Sequence, residues 1–203
     1  KAQIALRLAN HIDLDIDNYT VGRFIPHYLK SCGAIFGRKN NPKSHYLWTG
    51  SCEFIQYVLP SDFEKWYENF PKGAVLCELR SGKERYSVVP ESPYDSNGET
   101  IKWEEYEDIY SYNGNIVSDV GKIALSTALT MMYPPAGSRD IYCTAIAGTL
   151  LKNTDWTPQQ IDDFVHRIAI EANDTEADKR SEKGTTGETA EKMYGIPKLA
   201  EVL

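Results

Sequence analysis

Three aspartates alternate with apolar residues in the segment His11-Ile12-Asp13-Leu14-Asp15-Ile16-Asp17. An extended strand sends successive side chains to opposite faces, so Asp13, Asp15 and Asp17 must share one face and Ile12, Leu14 and Ile16 the other. Like charges at that spacing repel, and they persist together where water, a basic partner or a cation compensates them. A hard divalent ion such as Mg²⁺ or Mn²⁺ takes carboxylate oxygens readily. The competing account is an edge strand kept soluble by its acids.

The residues that follow carry the opposite charge. Between Asn18 and Cys52 there is no Asp or Glu, while Arg23, Lys30, Arg38, Lys39 and Lys43 are cationic and His27 and His45 can add to them. In a chain of formal net charge −7 this is a basic island directly behind an acidic strand. Carboxylates that hold a metal, next to cations that hold phosphates, are what a metal-nucleotide complex needs. A further carboxylate lies at Glu78 in the apolar stretch Ala74-Val75-Leu76-Cys77-Glu78-Leu79-Arg80. Its competing role is an ion pair with Arg80 or Lys83.

The elements that position these groups can be read from periodicity. Residues 3–17 read as one or two strands, and Thr20–Leu29 as a short helix in spite of Pro26. Ala34-Ile35-Phe36 and His45-Tyr46-Leu47-Trp48 read as strands joined by the loop that carries the basic residues. Ser61 or Asp62 begins a helix through Trp66 and Tyr67. Tyr86-Ser87-Val88-Val89-Pro90 reads as the hairpin partner of 74–80 across Ser81-Gly82-Lys83, and Asp95–Gly98 as a turn. Beyond Asn115 the pattern turns helical, with helices over Val117–Met132 and Ser138–Lys152 and a third started by Thr157-Pro158. A charged stretch from Asp174, the breaker Gly184-Thr185-Thr186-Gly187 and a short helix from Pro197 follow.

Composition bounds the class. With 203 residues, 41% hydrophobic and 25% charged, the chain is that of a folded globular protein and not a disordered one. No stretch has the 18 or so apolar residues of a membrane span, and the start lacks a signal-peptide core, so a cytoplasmic protein without membrane contact is expected. The four cysteines, at 32, 52, 77 and 143, form no Cys-x-x-Cys pair, which argues for reduced thiols over structural zinc or disulfides. A net negative charge is awkward for binding nucleic acid, so local charge must matter more than the sum.

The ordered set, an Asp-x-Asp strand, then Phe36-Gly37-Arg38 with Lys43-Ser44-His45, then Glu78-Leu79-Arg80, then Val88-Val89-Pro90-Glu91-Ser92 and Asn97-Gly98-Glu99-Thr100-Ile101-Lys102-Trp103, resembles the primase-polymerase (prim-pol) family of the archaeo-eukaryotic primase superfamily. The resemblance implies an α+β chain: a catalytic core over 1–115 with an antiparallel sheet like that of RNA-recognition modules (RRM), lacking part of its N-terminal segment, and a small all-α helical bundle over 116–203. It implies that Asp15, Asp17 and Glu78 hold Mg²⁺ or Mn²⁺, with Asp13 as an extra acid. Lys43, Ser44 and His45, with Arg38 and Arg80, would bind the triphosphate of a dNTP or NTP.

The implied activity is template-directed nucleotidyl transfer on DNA, as a primase or DNA polymerase serving the replication of a plasmid, phage or other mobile element, with a helicase as a further partner. In the bundle the resemblance rests on Ser138-Arg139-Asp140-Ile141, Asp155-Trp156-Thr157 and Tyr194-Gly195-Ile196-Pro197. Asp140 stands where several relatives have His. Trp156 reads as core, and Arg139 and Arg167 as candidate contacts to template or nucleotide. Two other functions share the acids: a metal-dependent nuclease, which usually places Lys where Arg80 stands, and a replication module that binds nucleotide or DNA without turnover.

Overall fold

The computed structural model describes residues 2–59, 74–93 and 99–185. The expected helix around Trp66, the turn at Asp95–Gly98, and the segment from Thr186 through the helix at Pro197 lie outside the described residues. The chain is α+β and divides into two compact units, Lys1–Leu125 and Ser126–Leu203. No helix among the described residues is long and apolar enough to cross a membrane.

The first unit is built on an antiparallel sheet. Its strands are β2 (His11–Ile16), β3 (Ala34–Arg38), β4 (Asn41–Thr49), β5 (Ile55–Val58), β6 (Val75–Ser81) and β8 (Lys102–Tyr106), in the spatial order β5-β6-β2-β4-β3-β8. Helix α1 (Tyr19–Tyr28) joins β2 to β3, and β4 lies between those two strands, a split β-α-β arrangement. Helix α1 starts where the Asn18 side chain accepts the backbone N–H of Thr20, and packs over β2 and β4 with Val21 and Phe24 fully buried. Each such burial is worth roughly 1.5–3 kcal/mol. Ile12, Leu14 and Ile16 are buried as well, so β2 is anchored by its apolar face, as the alternation requires.

Two local expectations need correction. The basic residues are not in an open loop: β3 and β4 run on into a hairpin that turns at Lys39-Asn40, so Arg38 and Lys43 are strand residues. Residue 37 must be glycine there, because a Cβ would come within 2.2 Å of the Asn41 carbonyl oxygen. In addition, β7 (Tyr86–Val88) does not pair with β6. Both edges of β6 are already taken, by β5 and β2, so β7 pairs antiparallel with β1 (Ala5–Arg7) in a separate two-stranded sheet. Leu6 and Val88 of this small sheet pack on a core of Leu8, Ala34, Phe36, Leu47 and Ile101. Because Leu47 is the cross-strand partner of Asp13, that core lies on the aspartates' side of the large sheet.

Helix α2 (Ile116–Met131) begins in the first unit and ends in the second. The second unit continues with α3 (Arg139–Asn153), α4 (Pro158–Glu171) and a 3-10 turn at Ala177–Arg180. Helix α4 has the expected start, with Thr157 and Gln160 closing a reciprocal capping box and Pro158 in the first turn. Ile161, Phe164, Val165 and Ile168 are buried, and Trp156 packs edge-on against Phe164, as a core residue does. Cys32, Cys77 and Cys143 are buried free thiols, and burial raises all three pKa values, that of Cys77 to about 12.

Candidate functional site

Register places the groups that could do chemistry. Asp15 on β2 faces His45 on β4 on one side and Glu78 on β6 on the other, while Asp13, one pair along, faces Leu47 and Arg80. Directly paired residues in antiparallel strands point to the same side, so Asp13, Asp15, His45, Glu78 and Arg80 form one polar field on the sheet. Asp17 follows just past the end of β2 and is exposed.

The four acids fare differently. Asp13 is fully buried, and its carboxylate accepts from Arg80 Nη2 at 2.6 Å, from the Ser87 hydroxyl, and lies 3.2 Å from His45 Nδ1. Burial works to raise its pKa, but His45, Arg80 and Ser87 outweigh that and hold it at about 2. Asp15 is half-buried, with Arg80 Nη1 at 3.0 Å and His45 Nε2 at 3.6 Å. Burial raises its pKa in spite of those two cations. Asp17 is pushed up to about 6 by burial and then by the negative charges of Asp15 and Glu78. Glu78 accepts from Gln56 Nε2 at 2.5 Å across to β5. Charge compensation therefore fades along β2 from its inner to its outer end.

His45 is held on two sides. Its Nδ1 edge meets Asp13, and its ring stacks on Phe36 with centroids 4.6 Å apart and planes 9° from parallel. Burial disfavours the imidazolium, yet Asp13 and then Asp15 raise its pKa above the ordinary value. A cavity of about 250 Å³ opens at this edge, lined by Asp15, Asp17, Arg38, His45 and Arg80 with Tyr86 among its other walls.

The structure thus brings Asp15, Asp17, Arg38, His45 and Arg80 to one cavity, with Glu78 beside Asp15. It does not bring Ser44: that residue is 3% exposed and sits on the opposite face of β4 from Lys43 and His45, as strand alternation demands. Lys43 is exposed and pairs with Glu105 at 2.8 Å. Arg80, expected to bind phosphate, has its terminal nitrogens committed to Asp13 and Asp15. Asp13, expected as an extra metal ligand, is committed to Arg80, His45 and Ser87. Arg139 is paired with Asp174 at 2.9 Å. Ser87 and Tyr86 join the site without having been singled out, and Phe36, quoted only as part of the Phe36-Gly37-Arg38 motif, gains a role in holding His45, because these roles depend on where β7 and β3 lie.

The donor set is of the kind a hard divalent cation takes: Asp15, Asp17 and Glu78 offer only carboxylate oxygens. The raised pKa of Asp17 reflects burial first and the negative charges of Asp15 and Glu78 second, against the opposing pull of Arg80 and His45. Among the described residues no three His, Cys, Asp or Glu side chains surround a common point. No family model, no curated protein and no solved structure matches this chain.

Proposed function

We propose that the first unit is the catalytic part of a metal-dependent nucleotidyl transferase of the primase-polymerase kind, adding nucleotides to a strand on a DNA template. The observation that carries this is the placement of Asp15 between Glu78 and His45 on three neighbouring strands, with Asp17 one step beyond. The sheet is a second support. Numbered by their place in the chain, its four inner strands run β6-β2-β4-β3, with α1 as a crossover, which is the order expected of an RRM-like core.

Asp15, with Asp17 or Glu78, would hold Mg²⁺ or Mn²⁺, with water and substrate phosphate supplying the remaining ligands. When bound, the metal lowers the pKa of an attacking hydroxyl and offsets charge on the departing pyrophosphate. The protein's own part is positioning. Asp13 and Phe36 fix the His45 ring so that its Nε2 edge turns toward Asp15, where a proton on that nitrogen can meet a phosphate oxygen. Arg38 adds positive charge at the same cavity and Lys43 adds it further along β4. Arg80 bridges Asp13 and Asp15, and its charge pulls the Asp15 pKa down against the burial that raises it.

The test is incubation of the full chain with a primed DNA template, dNTPs and Mn²⁺. Extension of the primer is the expected result, and Asp15→Ala or Asp17→Ala should lower the rate by at least about 10²- to 10³-fold with an unchanged circular dichroism spectrum. Shortening of the primer would instead identify a nuclease. Neither extension nor shortening, with dNTP still bound, would identify a module that binds without turnover.

A further inference from the structure

Tyr86 stands at the cavity with more than half of its surface exposed, at 54%. Packing does not explain it, because a tyrosine placed for packing hides its ring. Hydrogen bonding does not explain it either: among the described residues its ring and hydroxyl make no hydrogen bond or ring contact. What fixes its position is β7. Alternation along that short strand sends Ser87 inward to Asp13 and Arg80, and leaves Tyr86 and Val88, on either side of it, to line the cavity with Ile101. The cavity therefore has a charged floor of Asp15, Asp17 and His45 and a wall with an aromatic and two aliphatic side chains.

A wall of that composition has nothing to offer a bare polyphosphate. It has a π-face to offer a planar ring, and stacking of a base on an aromatic side chain is worth about 1–3 kcal/mol. Space agrees. The 250 Å³ cavity is small for a whole nucleotide, but Arg38 also lines a second cavity of about 460 Å³, together with Lys39 and Lys102 as well as Glu99 and Glu104. The two share Arg38 as a lining residue.

We propose that Tyr86 is the stacking platform for the base of a nucleotide whose phosphates lie toward Arg38 and His45. The site then selects a nucleobase-bearing substrate over an inorganic polyphosphate, and does so with little preference among bases, since every base has a π-face. This inference rests on the nucleotidyl-transfer reading and adds the identity of the recognition element.

The experiment is calorimetric titration of the full chain, in Mg²⁺, with dATP and separately with inorganic tripolyphosphate. For the wild type, dATP binds more tightly than tripolyphosphate. Tyr86→Ala and Tyr86→Leu weaken dATP by about 5- to 150-fold, leave tripolyphosphate within about twofold, and Tyr86→Phe restores the dATP value. Unchanged dATP affinity in Tyr86→Ala overturns the proposal, and so does an equal loss for both ligands, which would mean a merely structural role. A wild type that binds tripolyphosphate as well as dATP overturns it too, while leaving the phosphate site standing. Binding of neither ligand sinks the nucleotidyl-transfer reading, and this inference with it.

Discussion

The acid cluster on the sheet and the acid cluster of the helical unit solve the same electrostatic problem to different degrees. In the helical unit Asp174 is buried and accepts from Arg139, Arg180, the Tyr133 hydroxyl and the Glu176 backbone, and Asp140 pairs with Arg180 and Lys183. Burial would raise the Asp174 pKa, but those donors bring it to about 2. On the sheet, Asp13 is matched in the same way, yet Arg80 and His45 must also serve Asp15, and Asp17 is left at about 6. Fully matched acids hold a structure together; under the proposed function the acids left short of cations are the ones that would receive one. The dividing line falls within one short segment, between Asp13 in β2 and Asp17 just past its end.

Removing Asp13 is the strongest way to test that line. Asp13→Ala leaves Arg80 and His45 partly buried without their shared anion and should cost about 3–5 kcal/mol in urea unfolding, much as removal of a partner from a buried ion pair does. A cost below about 1 kcal/mol would put Asp13 with the functional acids instead.

The helical unit supplies the pH counterpart. The folded pKa of Asp174, at about 2, lies below its ordinary value of 3.8, so its stabilisation is complete above about pH 4 and is lost as pH falls through 2. The loss amounts to about 2 kcal/mol at most. Unfolding midpoints measured from pH 6 down to 2 should show this limb in the wild type and a flatter one in Asp174→Asn. The smallest effect has the opposite sign. In chelator-treated protein Asp17→Asn should raise stability slightly, by no more than about 0.5 kcal/mol, because it removes repulsion from Asp15 and Glu78 at an exposed position. A loss of stability in that variant would mean that Asp17 is compensated after all.

Much of this arrangement was legible from residue types alone. The alternation in 11–17 dictates a shared face for the aspartates, and Thr157-Pro158 marks where α4 starts. What periodicity cannot supply is partnership between strands. It makes the three aspartates equivalent, whereas register gives Asp13 the arginine and Asp15 a histidine and a glutamate, and leaves Asp17 past the end of β2 with a backbone bond to Leu76. It also suggested β7 as the neighbour of β6, because nothing local to 81–90 reveals that β2 and β5 already occupy both edges. Ser44 parts from its neighbours for a simpler reason: a contiguous Lys-Ser-His triplet looks like one unit until strand alternation turns its middle member to the other face.

The pairing of β1 with β7 has a consequence for assembly. Ala5 meets Val88 across most of the first unit's sequence, whereas β3 and β4 are joined by a two-residue turn. Closing so long a segment costs more chain entropy than closing a hairpin, so the hairpin and the split β-α-β arrangement gain their contacts sooner. The β1–β7 pair is thus a clasp fastened by the chain's opening strand, and it is this clasp that sets Ser87 against the buried carboxylate of Asp13.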